Sequence, residues 1–159
     1  MEIKFDEAEL ELAQKAEKYC AVSEQCMSSV RAKLFIWGAS RPQTEKVIKH
    51  LCANNFINEQ RYAESYSSSK VRLQHWGRIK IAYQLRAKQI PQNIIDSAIE
   101  SINPEEYRKS LVELTHSRWE LYTDGEYEKN RRKLMAFLAT KGFEMDIIKE
   151  VVDIELPLN

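Results

Sequence analysis

Glycine and proline are scarce in this chain, with four of each among 159 residues. A β-sandwich or barrel of this length turns too often to be built from so few, so helices are the expected element. Cysteine is scarcer. Cys20, Cys26 and Cys52 form an odd, sparse set without the density of a disulfide framework, which predicts reduced thiols in a cytoplasmic protein. The acidic opening from Met1 to Leu12 lacks an apolar core of the secretory kind. No segment approaches the roughly 20 apolar residues that a membrane span needs. Net charge is also absent, because 24 Lys and Arg balance 24 Asp and Glu, so the overall balance points to neither nucleic acid nor membrane. What is present is 43% hydrophobic and 30% charged residues, which can build a core and argues against disorder. The length suits one ordinary domain or a short array of repeats.

The apolar residues recur with helical period. Leu12, Ala16, Tyr19 and Cys20 mark a first helix, and a second is expected from Ser23 or Glu24 through Val30 and Leu34 to Trp37. Gly38 stands where a left-handed residue ends a helix, and Pro42 where the next one opens. The same grammar returns over 59–73, 77–88 and a segment carrying Ile94, Ile95, Ala98, Ile99 and Ile102. Asn103 is the expected cap of a helix starting at Pro104 and reaching Tyr122. Two more helices follow, over 126–141 and through Ile147, Ile148, Val151 and Val152.

Superposing these segments exposes a repeat. Leu34, Leu85 and Leu138 each stand four residues before Gly38, Gln89 and Gly142, at spacings of 51 and 53 residues. Val47-Ile48, Ala98-Ile99 and Val151-Val152 lie nine and ten residues beyond those turns. A repeat of this period means stacked units, none of which buries its apolar face alone. The expected fold is all-α: three tandem three-helix repeats in an elongated, curved or solenoid-like array. The expected units are 1–55, 56–103 and 104–159, with three equivalent buried leucines.

Catalytic constellations are missing. His50, His75 and His116 lie far apart with no metal-ligand spacing, and Cys20 and Cys26 fit no usual zinc pattern. There is no phosphate-cradling glycine loop and no nucleophile elbow. Cys26 reads as a packed core thiol, since cysteine is among the most buried residues. No catalytic, metal or cofactor residue is assigned, and the chain is expected not to be an enzyme.

Charge is arranged unevenly. From Ser65 to Ile95 there is no Asp or Glu, while Lys70, Arg72, Arg78, Lys80, Arg86 and Lys88 are present. Lys129, Arg131, Arg132 and Lys133 form a second basic block, and both ends of the chain are acidic. A basic middle of this kind suits a polyanion, or an acidic protein groove beside a phosphate backbone. Lys70, Arg72, Arg78, Lys80, Arg86, Lys88, Arg131, Arg132 and Lys133 are therefore the candidate partner-binding or DNA-binding residues. Most aromatics, Tyr62 and Tyr66 among them, read as packing. Trp76 is the exception, because it sits at a break between two helices.

Phe56-Ile57-Asn58-Glu59-Gln60-Arg61-Tyr62-Ala63, the set Gly77-Arg78-Ile79-Lys80, Leu85, Lys88 and Ile90, and Lys141-Gly142-Phe143 resemble, in order, the motifs of the RecX family of recombination regulators. The resemblance runs over roughly 24–153. Gln89 departs from it by replacing a glycine, which predicts a different end for that helix, and the first unit departs at Cys26-Met27-Ser28-Ser29-Val30. The resemblance implies a monomeric, cytoplasmic, non-catalytic protein. It would lie in the groove of RecA polymerised on single-stranded DNA, suppressing strand exchange, ATP hydrolysis and coprotease activity. Single-stranded DNA would be met through the filament or weakly by direct contact. A competing reading is a stand-alone DNA-binding module with helix-turn-helix-like units; the neutral net charge weighs against it.

Overall fold

The computed structural model describes residues 2–158, which hold nine α-helices and no strand. They are α1 (Glu7–Val22), α2 (Met27–Ile36), α3 (Arg41–Ala53), α4 (Glu59–Gln74), α5 (Arg78–Ala87), α6 (Gln92–Glu100), α7 (Pro104–Trp119), α8 (Tyr127–Thr140) and α9 (Met145–Glu155). Local chemistry sets most boundaries. Asp6 and Glu9 form a reciprocal capping box at α1, and Ser40 and Gln43 form another at α3. Asn103 accepts hydrogen bonds from the Glu105 and Glu106 amides and starts α7, with Pro104 in its first turn, as its sequence predicts.

Two boundaries differ from expectation. Helix α2 starts at Met27 rather than near Ser23, because Cys26 is extended (ψ 165°) and the Met27 N–H is taken by the Glu59 carboxylate of α4 at 3.0 Å. The cap comes from a distant helix, so nothing local announces it. Helix α7 stops at Trp119 rather than Tyr122; the Trp119 ring packs edge-on against Tyr122 and Tyr127, folding the chain back over the helix end.

Leu34, Leu85 and Leu138 are fully buried, as their equivalence requires. Their carbonyls also close the three turns alike, accepting from the amides of Ala39, Ile90 and Phe143. The expectation that Gln89 ends its helix differently is overturned. Gln89 adopts φ 63°, beside φ 83° for Gly38 and φ 94° for Gly142, so glutamine carries the left-handed strain that glycine avoids.

The buried side chains form two clusters. Leu12, Ala16, Val30, Leu34, Val47, Leu51 and Ile57 belong to one. The other is continuous from Tyr62 through Leu85, Ile95, Leu111 and Leu138 to Val152, and it takes Cys26 from the N-terminal region. Helix α4 packs on both α6 and α7, so the second and third helix triplets share this larger core.

The same two triplets are also joined backbone to backbone. The Gly77 amide donates to the Lys141 carbonyl at 2.8 Å, and the Ile79 amide donates to the Gly142 carbonyl at 3.0 Å. The orphan N–H groups at the start of α5 thereby satisfy the orphan carbonyls beyond α8, with the two helix dipoles meeting head to tail. A Cβ on Gly77 would lie 2.2–2.3 Å from the Gly142 carbonyl and the Phe143 nitrogen, and one on Gly142 would lie 2.4 Å from the Lys80 Cβ. Only two glycines permit this contact.

Three stability measurements by urea denaturation check the reading. Gly77→Ala should cost roughly 3 kcal/mol or more, since backbone and not a flexible side chain has to move. Leu85→Ala should cost about 2–5 kcal/mol. Gln89→Gly should stabilise by about 0.5–1 kcal/mol by relieving the left-handed strain, net of the larger entropy of the unfolded chain. A loss of stability in Gln89→Gly would contradict the turn geometry.

Candidate interaction surface

The segment from His75 to Ile79, which leads from the end of α4 into the first turn of α5, is held residue by residue. His75 takes the left-handed conformation (φ 52°) at the end of α4. Its Nδ1 is hydrogen-bonded to Ser110 Oγ of α7 at 2.8 Å, while that hydroxyl donates to the Val71 carbonyl at 2.6 Å. The Trp76 amide closes α4 on the Lys70 carbonyl at 3.1 Å. Gly77 and Ile79 bind the end of α8 as described. Between them the Arg78 amide donates to the Tyr107 hydroxyl at 3.0 Å.

This elbow divides the candidate residues. Arg78 belongs to the joint: its guanidinium lies 3.9 Å from the Tyr107 ring centroid and pairs with Glu144 at 2.8 Å, and Tyr107 donates to the same carboxylate. Burial and the Glu144 hydrogen bond push the Tyr107 hydroxyl well above the usual tyrosine range. Arg131 is likewise occupied, bound to Asp153 of α9 at 2.6 Å. The other seven, Lys70, Arg72, Lys80, Arg86, Lys88, Arg132 and Lys133, make no ion pair among the described residues.

Three of those seven converge on aromatic rings at the elbow. The Lys70 and Lys80 ammonium groups each lie 4.6 Å from the Trp76 ring centroid. Lys70 also lies 5.2 Å, and Lys88 5.9 Å, from the Tyr66 ring, which packs edge-on against Trp76. Charge brought this close without a counter-ion raises the local positive potential. Lys141 registers it: burial and then the neighbouring Lys80 hold its amine below the ordinary lysine range. Lys141 was not among the residues picked from the sequence, because it lies outside both basic runs. The repeat register would have found it, since Lys88-Gln89-Ile90 and Lys141-Gly142-Phe143 occupy equivalent positions around the same turn.

Further along α8, Lys129, Arg132 and Lys133 share an exposed face at i, i+3 and i+4. Lys133 lies eight residues before Lys141, about 12 Å along the axis. Arg72 and Arg86 are exposed, and their guanidinium groups donate to Ser68 at 3.4 Å and Gln92 at 3.2 Å. Tyr83 and Ile79, 65% and 59% exposed, add uncovered apolar area on α5.

The histidines tie helices together, and of the cysteines Cys26 is buried, Cys20 half-buried and Cys52 exposed. His50 binds Glu17 at 2.7 Å and His116 binds Glu155 at 2.8 Å. No group of three metal-ligating side chains occurs among the described residues. Burial pushes the Cys20 thiol up to about 11 and raises Cys52, which disfavours a nucleophilic thiolate at either. No described helix is long and apolar enough to cross a membrane.

The RecX second three-helix domain matches residues 58–99, and the RecX third three-helix domain matches residues 105–152. Regulatory protein RecX of Prosthecochloris aestuarii is 27% identical over 136 residues, covering 85% of this chain and 87% of that protein. Regulatory protein RecX of Clostridium botulinum (strain Eklund 17B) is 32% identical over 125 residues; the match covers 77% of this chain but only 58% of that longer relative. The crystal structure of RecX from Lactobacillus salivarius shares the fold at a TM-score of 0.81, with 24% identity over 92% of this chain and 96% of the other. With both three-helix domain matches falling on the triplets that the elbow joins, the chain belongs to the RecX family.

Proposed function

We propose that this chain is a non-catalytic modulator of the RecA recombinase that binds the groove of the RecA–single-stranded DNA filament and restrains it. It would thereby regulate recombination, DNA repair and the SOS response. The family name supports the regulatory role. The observation that carries the site is the cluster of Lys70, Lys80 and Lys88 around Trp76 and Tyr66, without carboxylate partners, on an elbow fixed by the neighbouring triplet. Arg72, Arg86, Arg132 and Lys133 extend the same charge. Arg78 and Arg131 contribute through the joints that hold these helices. The working units are 1–55, 56–103 and 104–159, acting as a cytoplasmic monomer without a cofactor. Several weak contacts along a filament would add through avidity.

The reading as a stand-alone helix-turn-helix module fares worse. In such a motif the helix after the turn enters the major groove. In the second and third triplets that helix carries acids outward: α6 exposes Asp96 and Glu100, and α9 exposes Asp146, Glu150 and Asp153 against Lys149 alone. Phosphates would repel both, which leaves α3, exposing Arg41 and Lys49 against Glu45, as the one basic helix of the three.

Reversing Lys70 and Lys80 together to Glu should weaken filament binding by at least tenfold. It should also flatten the fall of affinity with rising salt, because fewer phosphate counter-ions are released. Reversing Lys4 and Lys15, which lie in the acid-rich N-terminal region, should change binding little. Folding should survive in both: Lys4 and Lys15 are exposed, and the part-buried Lys70 and Lys80 make no ion pair and would lose only their contacts to aromatic rings, effects of about 0.2–1 kcal/mol each. The measurement is titration of fluorescent protein onto recombinase alone, single-stranded DNA alone and the assembled filament, with circular dichroism to verify folding. Equal inhibition by the two double variants would place the interface elsewhere.

A further inference from the structure

We infer that Trp76 is a positioning residue for this basic surface: its ring holds the Lys70 and Lys80 ammonium groups in place, and it does not itself stack on the partner. The inference rests on the reading of the lysines as the contact surface. Two like charges from different helices lie at the same 4.6 Å from one indole. Left to themselves they would repel and swing apart on four-carbon stems, each losing considerable rotamer freedom whenever a partner fixed it. The negative face of the indole offsets that repulsion and limits the swing before binding. A ring already engaged by two cations is poorly placed to accept a base, which separates this arrangement from an aromatic platform for single strands.

The surroundings explain why the ring can serve as a post. Trp76 is half-buried, packs against the larger core and meets Tyr66 edge-on at 6.4 Å. Its backbone is fixed on both sides, by the Ser110 contact of His75 and by the bond from Gly77 to Lys141. Lys70 comes from the last turns of α4 and Lys80 from the first turn of α5. The indole thus ties together charges on both sides of the elbow at 4.6 Å, closer than the Tyr66 ring, which lies 5.2 Å from Lys70 and 5.9 Å from Lys88. Lys80 also abuts Gly142, where its Cβ fills the space a side chain would need. The third triplet therefore fixes the root of this lysine while Trp76 fixes its tip.

The test compares Trp76→Leu, Trp76→Phe, Lys70→Gln/Lys80→Gln and the combination of Trp76→Leu with both lysine changes. Binding to the recombinase filament on single-stranded DNA is measured across a salt series, and side-chain NMR follows the ε-methylenes of Lys70 and Lys80. In the wild type those methylene protons should be shifted upfield by the indole ring current. Trp76→Leu should abolish the shift and weaken binding about three- to tenfold. It should also have much less effect once both lysines are already glutamine, and Trp76→Phe should recover most of the loss. If Trp76→Leu weakens binding equally in the lysine-free background, the indole contacts the partner directly and the inference fails. Wild-type affinity in Trp76→Leu, with the lysine pair still required, overturns it too. Wild-type affinity in the Lys70→Gln/Lys80→Gln protein would instead remove the underlying reading of the surface. Should Trp76→Leu fail to fold, Trp76→Phe decides through its coupling to the lysines: a smaller upfield shift with a small loss of affinity that vanishes in the Lys70→Gln/Lys80→Gln background supports the positioning role, and an upfield shift absent from the wild type overturns it, as does a loss that persists in that background.

Discussion

The contact between the start of α5 and the end of α8 constrains everything around it. A helix start has amides without partners and a helix end has carbonyls without partners; each is costly if buried alone. Here the amides of Gly77 and Ile79 meet the carbonyls of Lys141 and Gly142 directly, at 2.8 and 3.0 Å. No side chain mediates, so the spacing is set by backbone geometry and by the absence of Cβ atoms at both glycines. Once that distance is fixed, Arg78 must pass beside Tyr107 and Glu144, and Lys80 must lie against Gly142. The positive cluster follows from the joint: the elbow that brings two helix ends together also brings Lys80 near Lys141 and leaves neither a carboxylate.

The joint between the first and second triplets has a different chemistry. Arg61 binds Glu24 at 2.5 Å and the Asn55 carbonyl at 3.1 Å, Glu59 caps α2, and the Ser28 hydroxyl donates to the Lys88 carbonyl at 2.8 Å. Cys26 inserts into the larger core, but the rest of the N-terminal apolar cluster stays separate. One carboxylate oxygen each of Glu24 and Glu59 is buried without a partner, so this joint bears a desolvation cost that the α5–α8 contact avoids. The Asn58-Glu59-Gln60-Arg61-Tyr62 stretch, which carries much of the family resemblance, is therefore spent largely on assembly: Asn58 caps α4, Glu59 caps α2, Arg61 bridges two triplets and Tyr62 is core.

Much of the fold was legible because its signals are local. Apolar period, the Asn103 cap and the leucine-to-turn spacing each act within a few residues, and the structure obeys them. Non-local effects were not legible. Glu59 reaches back to cap α2 across 32 residues, and no property of Ser23 or Glu24 reveals that the helix must wait until Met27. Gln89 misled for a related reason: glycine marks a left-handed turn only when the turn is free to choose its residue. Here the Leu85 carbonyl and the buried Ile90 hold glutamine in that conformation. For the surface, the acid-free stretch marks where the unpaired lysines lie along the chain. It did not reveal that Arg78 and Arg131 are neutralised by Glu144 and Asp153, acids far away in sequence. The Trp76 exception was readable from its position at a helix break, although its ring turned out to be occupied by lysines.

A net charge of zero is consistent with a strongly charged surface once pairing is considered residue by residue. Acids in the third triplet neutralise three arginines: Glu144 meets Arg78, Glu150 meets Arg108 and Asp153 meets Arg131. Each of these arginines donates one hydrogen bond to a carboxylate on or just before α9, a charge-assisted contact whose fixed planar geometry suits assembly. The cations left unpaired at the elbow are lysines, which hold their charge as a point on a flexible stem and impose no fixed hydrogen-bond geometry. Such charges suit a polyanion that presents many similar groups at varying positions, more than a single shaped pocket. Lysines do meet acids elsewhere, as Lys46 meets Glu9 at 2.5 Å, but at the elbow the folded chain brings a carboxylate to Arg78 and none to Lys70, Lys80 or Lys88.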